Sequence, residues 1–121
     1  MTLREYIEKN WKGTPYEYGG KDKSGIDCSG LIYQVWKNYY KKDIAIKTAN
    51  TYMLESTPVD APLKEGDLVF FTHKNDGKAQ HVGIMVDVGN FAHSSTSKGV
   101  IITPLNNSYW KPRILTFGQL I

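Results

Sequence analysis

The sequence contains very little cysteine, with Cys28 as the only one in 121 residues. A single cysteine excludes a disulfide within the chain, so nothing here demands an oxidising compartment. No run of apolar residues approaches the roughly 20 that a membrane-spanning helix needs, and Met1–Ile7 lacks the apolar centre of a signal peptide. The lysines are scattered and the net charge is only +3, which is too mild to predict nucleic-acid binding.

The remaining composition is that of one folded domain. Hydrophobic residues make up 40% of the chain, which is enough for a core at this length but leaves no room for a second independent unit. No internal repeat, low-complexity tract or linker interrupts the sequence. The sequence therefore predicts a single domain over residues 1–121.

Helical patterns occupy the first half of the chain. Thr2 and Glu5 form a capping-box pattern, which predicts a helix that ends before the Gly13-Thr14-Pro15 segment. Glycines at positions 19, 20 and 25 predict a loop. Two further helices are then predicted, from Cys28 to about Lys41 and from Thr48 to Glu55.

Strand patterns dominate the second half, with predicted strands at 67–71, 81–88, 91–93, 100–103 and 114–117. In the strand from His81, the apolar residues alternate, which predicts burial mainly on one face. Gly89-Asn90 is typical of a hairpin turn. Helices followed by strands favour an α+β fold in which the helices pack on an antiparallel sheet.

Cys28 is predicted to occupy the first turn of the second helix, with Asp27 as its cap. There, the free N–H groups and the helix dipole would favour the thiolate and lower the pKa of the thiol. A thiolate is a nucleophile. The alternative is a small buried core residue, which is a frequent role for free cysteine.

A cysteine nucleophile needs a base, and the chain offers three histidines. His81 begins a strand and His93 lies on the next one, whereas His73 falls in a polar segment that predicts an exposed loop. A two-residue hairpin at Gly89-Asn90 would pair His93 with Val86, about 16 Å from His81 at the usual strand rise. For the two histidines to meet, the strands must bend, bulge or pair in another register.

Several motifs together resemble the NlpC family of bacterial cell-wall cysteine peptidases. They are Tyr16-Glu17-Tyr18-Gly19-Gly20, Gly25-Ile26-Asp27-Cys28-Ser29-Gly30-Leu31, Gly66-Asp67-Leu68-Val69-Phe70-Phe71, His81-Val82-Gly83-Ile84 and Phe91-Ala92-His93-Ser94. The resemblance implies a papain-like α+β fold with the nucleophile at the start of the second helix. It also implies hydrolysis of an amide bond in peptidoglycan stem peptides, commonly the one between D-glutamate and the diamino acid.

The resemblance also implies roles for single residues. Cys28 would be the nucleophile, His81 the general base and later acid, and His93 the residue that orients His81. The Cys28 N–H and the Tyr16 side chain would stabilise the oxyanion. Asp27 and Ser29 would bind the free amine of the stem peptide, although a helix cap and a turn hydroxyl explain them equally well. Tyr109-Trp110-Lys111 is expected to pack against the sheet.

Other functions remain open at this point. An N-acetylmuramoyl-alanine amidase or an acyltransferase would use the same three residues. A zinc site would use Cys28, His81, His93 and His73, although no short paired ligand motif is present. A third alternative is an inactive domain that binds wall fragments.

The resemblance sets further expectations about cofactor, partners and location. No cofactor is expected. The expected partners are peptidoglycan stem peptides, and an immunity or delivery protein is a further partner that the resemblance allows. We expect a monomer that acts on the cell wall from the periplasm or from outside the cell after export or delivery. Recycling of wall peptides in the cytoplasm is the less favoured setting.

Overall fold

A computed structural model describes residues 1–60 and 63–120. In this part of the chain the helices are α1 (Leu3–Asn10), α2 (Cys28–Asn38) and α3 (Ala49–Glu55). The strands are β1 (Lys21–Asp22), β2 (Gly25–Ile26), β3 (Thr57–Pro58), β4 (Leu68–Phe71), β5 (His81–Met85), β6 (Asn90–Ser95), β7 (Gly99–Pro104) and β8 (Ile114–Gln119). A 3₁₀ turn at Lys111–Arg113 precedes β8.

The helices begin at, or within one residue of, the positions that the sequence predicts. The capping box of α1 is complete, because the Thr2 hydroxyl accepts from the Glu5 N–H and the Glu5 carboxylate accepts from the Thr2 N–H. The Thr48 hydroxyl caps α3 by accepting from the Thr51 N–H, so this helix begins at Ala49, one residue after the predicted start. The end of α2 was predicted too late, at about Lys41. The Tyr40 N–H turns back to the Val35 carbonyl, and Lys41 has a φ of 58°, so the helical hydrogen-bond ladder stops at Asn38.

The glycine-rich segment before α2 is more ordered than the predicted loop. It contains the short antiparallel hairpin of β1 and β2, in which Lys21 pairs with Ile26. Strands of two residues are too short to produce an alternating pattern, so the sequence did not reveal them. The hairpin leads the chain directly into Asp27 and the first turn of α2.

The main sheet has six strands in the order β3-β8-β4-β5-β6-β7, and all neighbouring strands are antiparallel. The sheet follows the helices in the chain and packs against them through a core that includes Leu31, Val35 and Ile84. This arrangement confirms the predicted α+β class. It places β5 and β6 in the middle of the sheet, next to α2.

Both faces of β5 are buried, so the prediction of one-sided burial was wrong. Val82 and Ile84 face the helices, whereas Met85 belongs to a second apolar cluster on the other face of the sheet. The chain between β7 and β8 crosses this second face and covers it with Trp110, among other residues. The sequence pattern of β5 alone could not reveal a cover supplied by residues some 25 positions later.

None of the described helices has both the length and the apolar character that would let it cross a membrane.

Candidate active site

Cys28 is the first residue of α2, as the sequence predicts. The Asp27 carboxylate caps the helix by accepting from the Gly30 N–H at 2.7 Å. At Gly30, a Cβ atom would lie 2.5 Å from the Gly20 carbonyl oxygen, so only glycine allows the glycine-rich segment to pack this closely on the helix start. The thiol is thereby held at a rigid corner, with Cys28 only 8% exposed.

The pKa of Cys28 is opposite to the sequence prediction. Burial raises the pKa of the thiol to about 11, although the N–H groups of Val82, Ser29 and Cys28 itself act in the expected direction. The loss of water around the sulfur outweighs those N–H groups, and the charge of Asp27 adds to the rise. The resting side chain is therefore a neutral thiol. Helix α2, which begins at Cys28, packs against β5, which begins at His81.

His81 and His93 are brought together by a register that differs from the simple hairpin. Ile84 pairs with Ala92 and Met85 with Phe91, so the turn spans more residues than Gly89-Asn90 alone. This register sets His93 level with Gly83, two residues from His81 instead of five. The strands thus pair in another register, which the meeting of the two histidines requires, and Nε2 of His81 lies 2.8 Å from Nδ1 of His93.

Gly83, level with His93 on the neighbouring strand, gives the Phe91 ring room. A Cβ atom there would be 2.6 Å from the Phe91 side chain, which fills the space above the glycine. The Phe91 ring in turn packs at 4.7 Å from the His93 ring. The glycine of the His81-Val82-Gly83-Ile84 motif therefore has a packing role in addition to its place in the strand.

A third polar residue, Thr103 on β7, extends the hydrogen-bonded chain. Its Oγ1 lies 2.9 Å from Nε2 of His93, and both residues are buried. Two tautomer arrangements satisfy both contacts. In one of them, Nε2 of His81 donates to His93, and Nε2 of His93 donates to the Thr103 hydroxyl. Only this arrangement leaves Nδ1 of His81 unprotonated and able to take a proton. The sequence analysis missed Thr103, because nothing in its neighbourhood distinguishes it from other strand threonines.

Trp110 covers the base from the second face of the sheet. Its ring stacks on His81 with centroids 4.6 Å apart and planes 19° apart, and it meets His93 edge-on at 5.1 Å. Together with the sheet, this cover leaves His81 only 6% exposed. Burial lowers the pKa of His81 well below 6.5, and the neighbouring His93 and His73 lower it further. Trp110 thus packs on the sheet, as expected, and also contacts the base directly.

Tyr16 lies beside the segment that leads to Cys28. It bridges to Ile26 just before the helix, and burial, together with the charge of Asp27, raises the pKa of its phenol. The phenol therefore stays protonated and can donate a hydrogen bond. This is the property that an oxyanion donor requires.

Asp27 and Ser29 are half-buried and bonded to each other and to the backbone. One oxygen of Asp27 accepts from the Gly30 N–H and the Ser29 hydroxyl, and the other accepts from the Gly19 N–H at 2.9 Å. These contacts fit the helix-cap interpretation of both residues. Their contact with a substrate amine stays a prediction.

His73 lies in an exposed loop, as predicted, but it is not remote from the site. Its ring is 5.6 Å from Trp110 and 6.4 Å from His81. Partial burial, together with the Arg113 charge, lowers its pKa. No three His, Cys, Asp or Glu side chains within residues 1–60 and 63–120 form a group that could hold a metal ion. The zinc alternative gains no support from this geometry.

Comparison with known proteins identifies the family. A model of the NlpC/P60 family matches residues 13–119. The chain belongs to the NlpC/P60 family. A crystal structure of an NlpC/P60 family protein from Bacillus cereus superposes with a TM-score of 0.80 at 28% identity, over 91% of this chain and 36% of that one. The papain-like α+β fold of the NlpC/P60 family is therefore the fold of this chain.

Two bacterial proteins are further relatives of this chain. The Escherichia coli protein named murein DD-endopeptidase MepS/murein LD-carboxypeptidase is 38% identical over 104 residues, which are 86% of this chain and 54% of that protein. The Bacillus subtilis protein named probable peptidoglycan endopeptidase LytE is 43% identical over 85% of this chain and 29% of its own length. The chain thus spans about half, or less, of these two relatives.

Proposed function

We propose that the chain is a peptidoglycan hydrolase, a cysteine endopeptidase that cleaves a stem-peptide amide bond through a thioester. One observation carries the proposal: a buried chain of hydrogen bonds links His81, His93 and Thr103, and it begins on β5, the strand that packs against the helix starting at Cys28. The names of the relatives, murein and peptidoglycan endopeptidases, support the substrate class. A substrate in the wall would put the site of action in the periplasm or outside the cell.

The first step forms the bond between sulfur and carbon. At rest both groups are neutral, because burial raises the pKa of Cys28 and lowers that of His81. Nδ1 of His81 takes the thiol proton as the sulfur attacks the amide carbonyl carbon, so a charged pair forms only as the reaction proceeds. His93 accepts from Nε2 of the resulting imidazolium. The Cys28 N–H and the Tyr16 hydroxyl donate to the oxyanion.

The next steps release the two products. The oxyanion collapses, the carbon–nitrogen bond breaks, and His81 gives its proton to the departing amine. A water molecule then attacks the thioester, and His81 takes one of its protons. The carbon–sulfur bond breaks, the proton returns to the sulfur, and the acid product leaves with Cys28 restored.

Two bonds are the leading candidates for cleavage. The family resemblance favours the bond between D-glutamate and the diamino acid. The names of the Escherichia coli relatives MepS and MepH, both murein DD-endopeptidases, favour the cross-link between stem peptides as a second candidate. Both reactions would use the same three residues, and they differ in how the substrate lies in the cleft.

Mass spectrometry of the products separates the candidates. Purified peptidoglycan and defined muropeptides are digested with the wild-type protein and with Cys28→Ala as the inactive control. Cleavage after D-glutamate yields a disaccharide dipeptide, whereas cross-link cleavage converts dimers into intact monomers. An amidase would release peptides without sugar, and an acyltransferase would give peptide–amine adducts. Unchanged masses after prolonged digestion with the wild-type protein would contradict the proposal.

The proposal also assigns Asp27 and Ser29 to the free amine of the stem peptide. A carboxylate next to the helix start supplies the opposite charge to an ammonium group. We expect N-acetylation of the first alanine to slow cleavage of a soluble stem peptide by the wild-type protein. Equal rates with and without the acetyl group would show that the two residues act only as a helix cap and a turn hydroxyl.

A further inference from the structure

A cleft of about 580 Å³ opens beside His81. One wall is the turn between β6 and β7, which includes Ser95 and Lys98, and the other wall is formed by His73, Tyr109 and Trp110. We call this the His81 cleft. Among the residues that line the cleft, His81 takes part in the reaction, and Thr103 and Trp110 contact the two histidines. The other lining residues have no role in the chemistry described above.

The His81 cleft carries positive charge only. Its lining, all of which lies in the described part of the chain, includes no aspartate or glutamate, and Lys98 supplies an exposed ammonium group. The Arg113 guanidinium lies 3.8 Å from the centre of the Tyr109 ring, and its charge reaches the cleft, since it lowers the pKa of His73. Hydroxyl groups such as that of Ser95 add hydrogen-bond donors. This combination suits a carboxylate and disfavours an ammonium group.

The segment that leads to Cys28 has a small excess of negative charge. Residues 16–27 carry three carboxylates and two lysines, and a separate depression is lined by Glu17 and Asp22 together with Lys21. A carboxylate of the substrate would be repelled there and attracted to the His81 cleft. The charges around the site therefore distinguish one end of a substrate from the other.

The chemistry decides which half of the substrate enters the His81 cleft. His81 must protonate the departing amine, so the departing half lies on the side of this imidazole. For either of the two candidate bonds that half begins with the diamino acid. Where the diamino acid has two amino-acid centres, one of them lies outside the stem chain and carries a free carboxylate.

We propose that the His81 cleft binds the departing diamino acid and that Lys98 holds its free carboxylate. The enzyme would then distinguish a diamino acid with a free carboxylate from one in which that group is a carboxamide. This inference rests on the proposed function for the identity of the substrate. It goes beyond that function by assigning Lys98 as a specificity residue.

Two synthetic stem peptides that differ only in this group provide the test. With the wild-type protein we expect kcat/KM to be about 5-fold higher for the carboxylate peptide, which is the effect of one partly exposed ion pair. Lys98→Gln should lower kcat/KM for the carboxylate peptide to the level of the carboxamide peptide. Lys9→Gln on α1, a lysine that does not line the cleft, should keep the 5-fold preference. Raising the salt concentration should reduce the preference of the wild-type protein.

Binding to the inactive protein separates this inference from the proposed function. The free diamino acid and its carboxamide are titrated by NMR into Cys28→Ala, with and without Lys98→Gln. Tighter binding of the carboxylate form, lost in Lys98→Gln, would support the inference. Absence of cleavage of both peptides by the wild-type protein would overturn the proposed function and leave that binding result standing. Cleavage and binding that are equal for both forms and unaffected by Lys98→Gln would overturn the inference and leave the proposed function standing.

Discussion

Acidification below pH 6.5 is expected to destabilise the fold through the two buried histidines, His81 and His93. Burial lowers the pKa of both imidazoles in the folded protein, so the folded state keeps them neutral at a pH where the unfolded chain protonates them. The unfolded state then binds more protons than the folded state, and the free energy of unfolding falls as the pH falls.

The magnitude follows from His93. Burial lowers its pKa from 6.5 to about 4, which corresponds to about 3 kcal/mol of stability that is lost between those two pH values. Each histidine contributes a slope of up to about 1.4 kcal/mol per pH unit, so the pair gives up to about 2.7. The carboxylates with lowered pKa, such as Asp87 with a value of about 2, lose their contribution only at lower pH.

Urea unfolding followed by tryptophan fluorescence measures this slope between pH 4.5 and 7.5. His93→Gln removes one titrating group while it keeps an amide that can bond to His81, so its slope should fall by about 1.4 kcal/mol per pH unit near pH 5. His73→Gln, at an exposed position, should change the slope less. A wild-type free energy of unfolding that stays constant from pH 6.5 to 4.5, or a full slope in His93→Gln, would refute the reasoning.

Substitutions at three positions test other parts of the site. Tyr16→Phe removes an oxyanion donor and should lower kcat about 100-fold with a smaller change in KM, and an unchanged kcat in steady-state assays would exclude that role. Thr103→Val should lower kcat about 5-fold through the lost bond to His93, whereas Thr103→Ser should retain it, and equal losses would argue against a hydroxyl role. Gly83→Ala should destabilise the fold by about 1–3 kcal/mol in urea unfolding, because its Cβ would meet Phe91, and wild-type stability would contradict this packing.

Local signals in the sequence account for much of the fold. The capping box at Thr2 and the polar cap at Asp27 each satisfy backbone N–H groups within a few residues, so their effect is visible without the rest of the chain. The alternation of β5 likewise marked a strand. The end of α2 was less predictable, because it depends on a left-handed residue at Lys41 that carries no glycine signal.

Features that depend on distant parts of the chain could not be predicted in this way. The contact of His81 with His93 depends on the register of β5 and β6. A two-residue hairpin would hold the two residues about 16 Å apart. The observed register, shifted by three residues, brings Nε2 of His81 to 2.8 Å from Nδ1 of His93. The pKa of Cys28 depends on how completely neighbouring elements exclude water from the sulfur. Trp110 and Thr103 reach the histidines only after the sheet has formed.

Cleavage by the wild-type protein and by Cys28→Ala tests the central claim most directly. Both proteins are incubated with the same purified peptidoglycan fragments, and the release of new amino groups is measured, with circular dichroism to show that the variant is folded. The account predicts release by the wild-type protein and none above background by Cys28→Ala, since no other described residue can form the thioester. Undiminished release by a folded Cys28→Ala protein would contradict it.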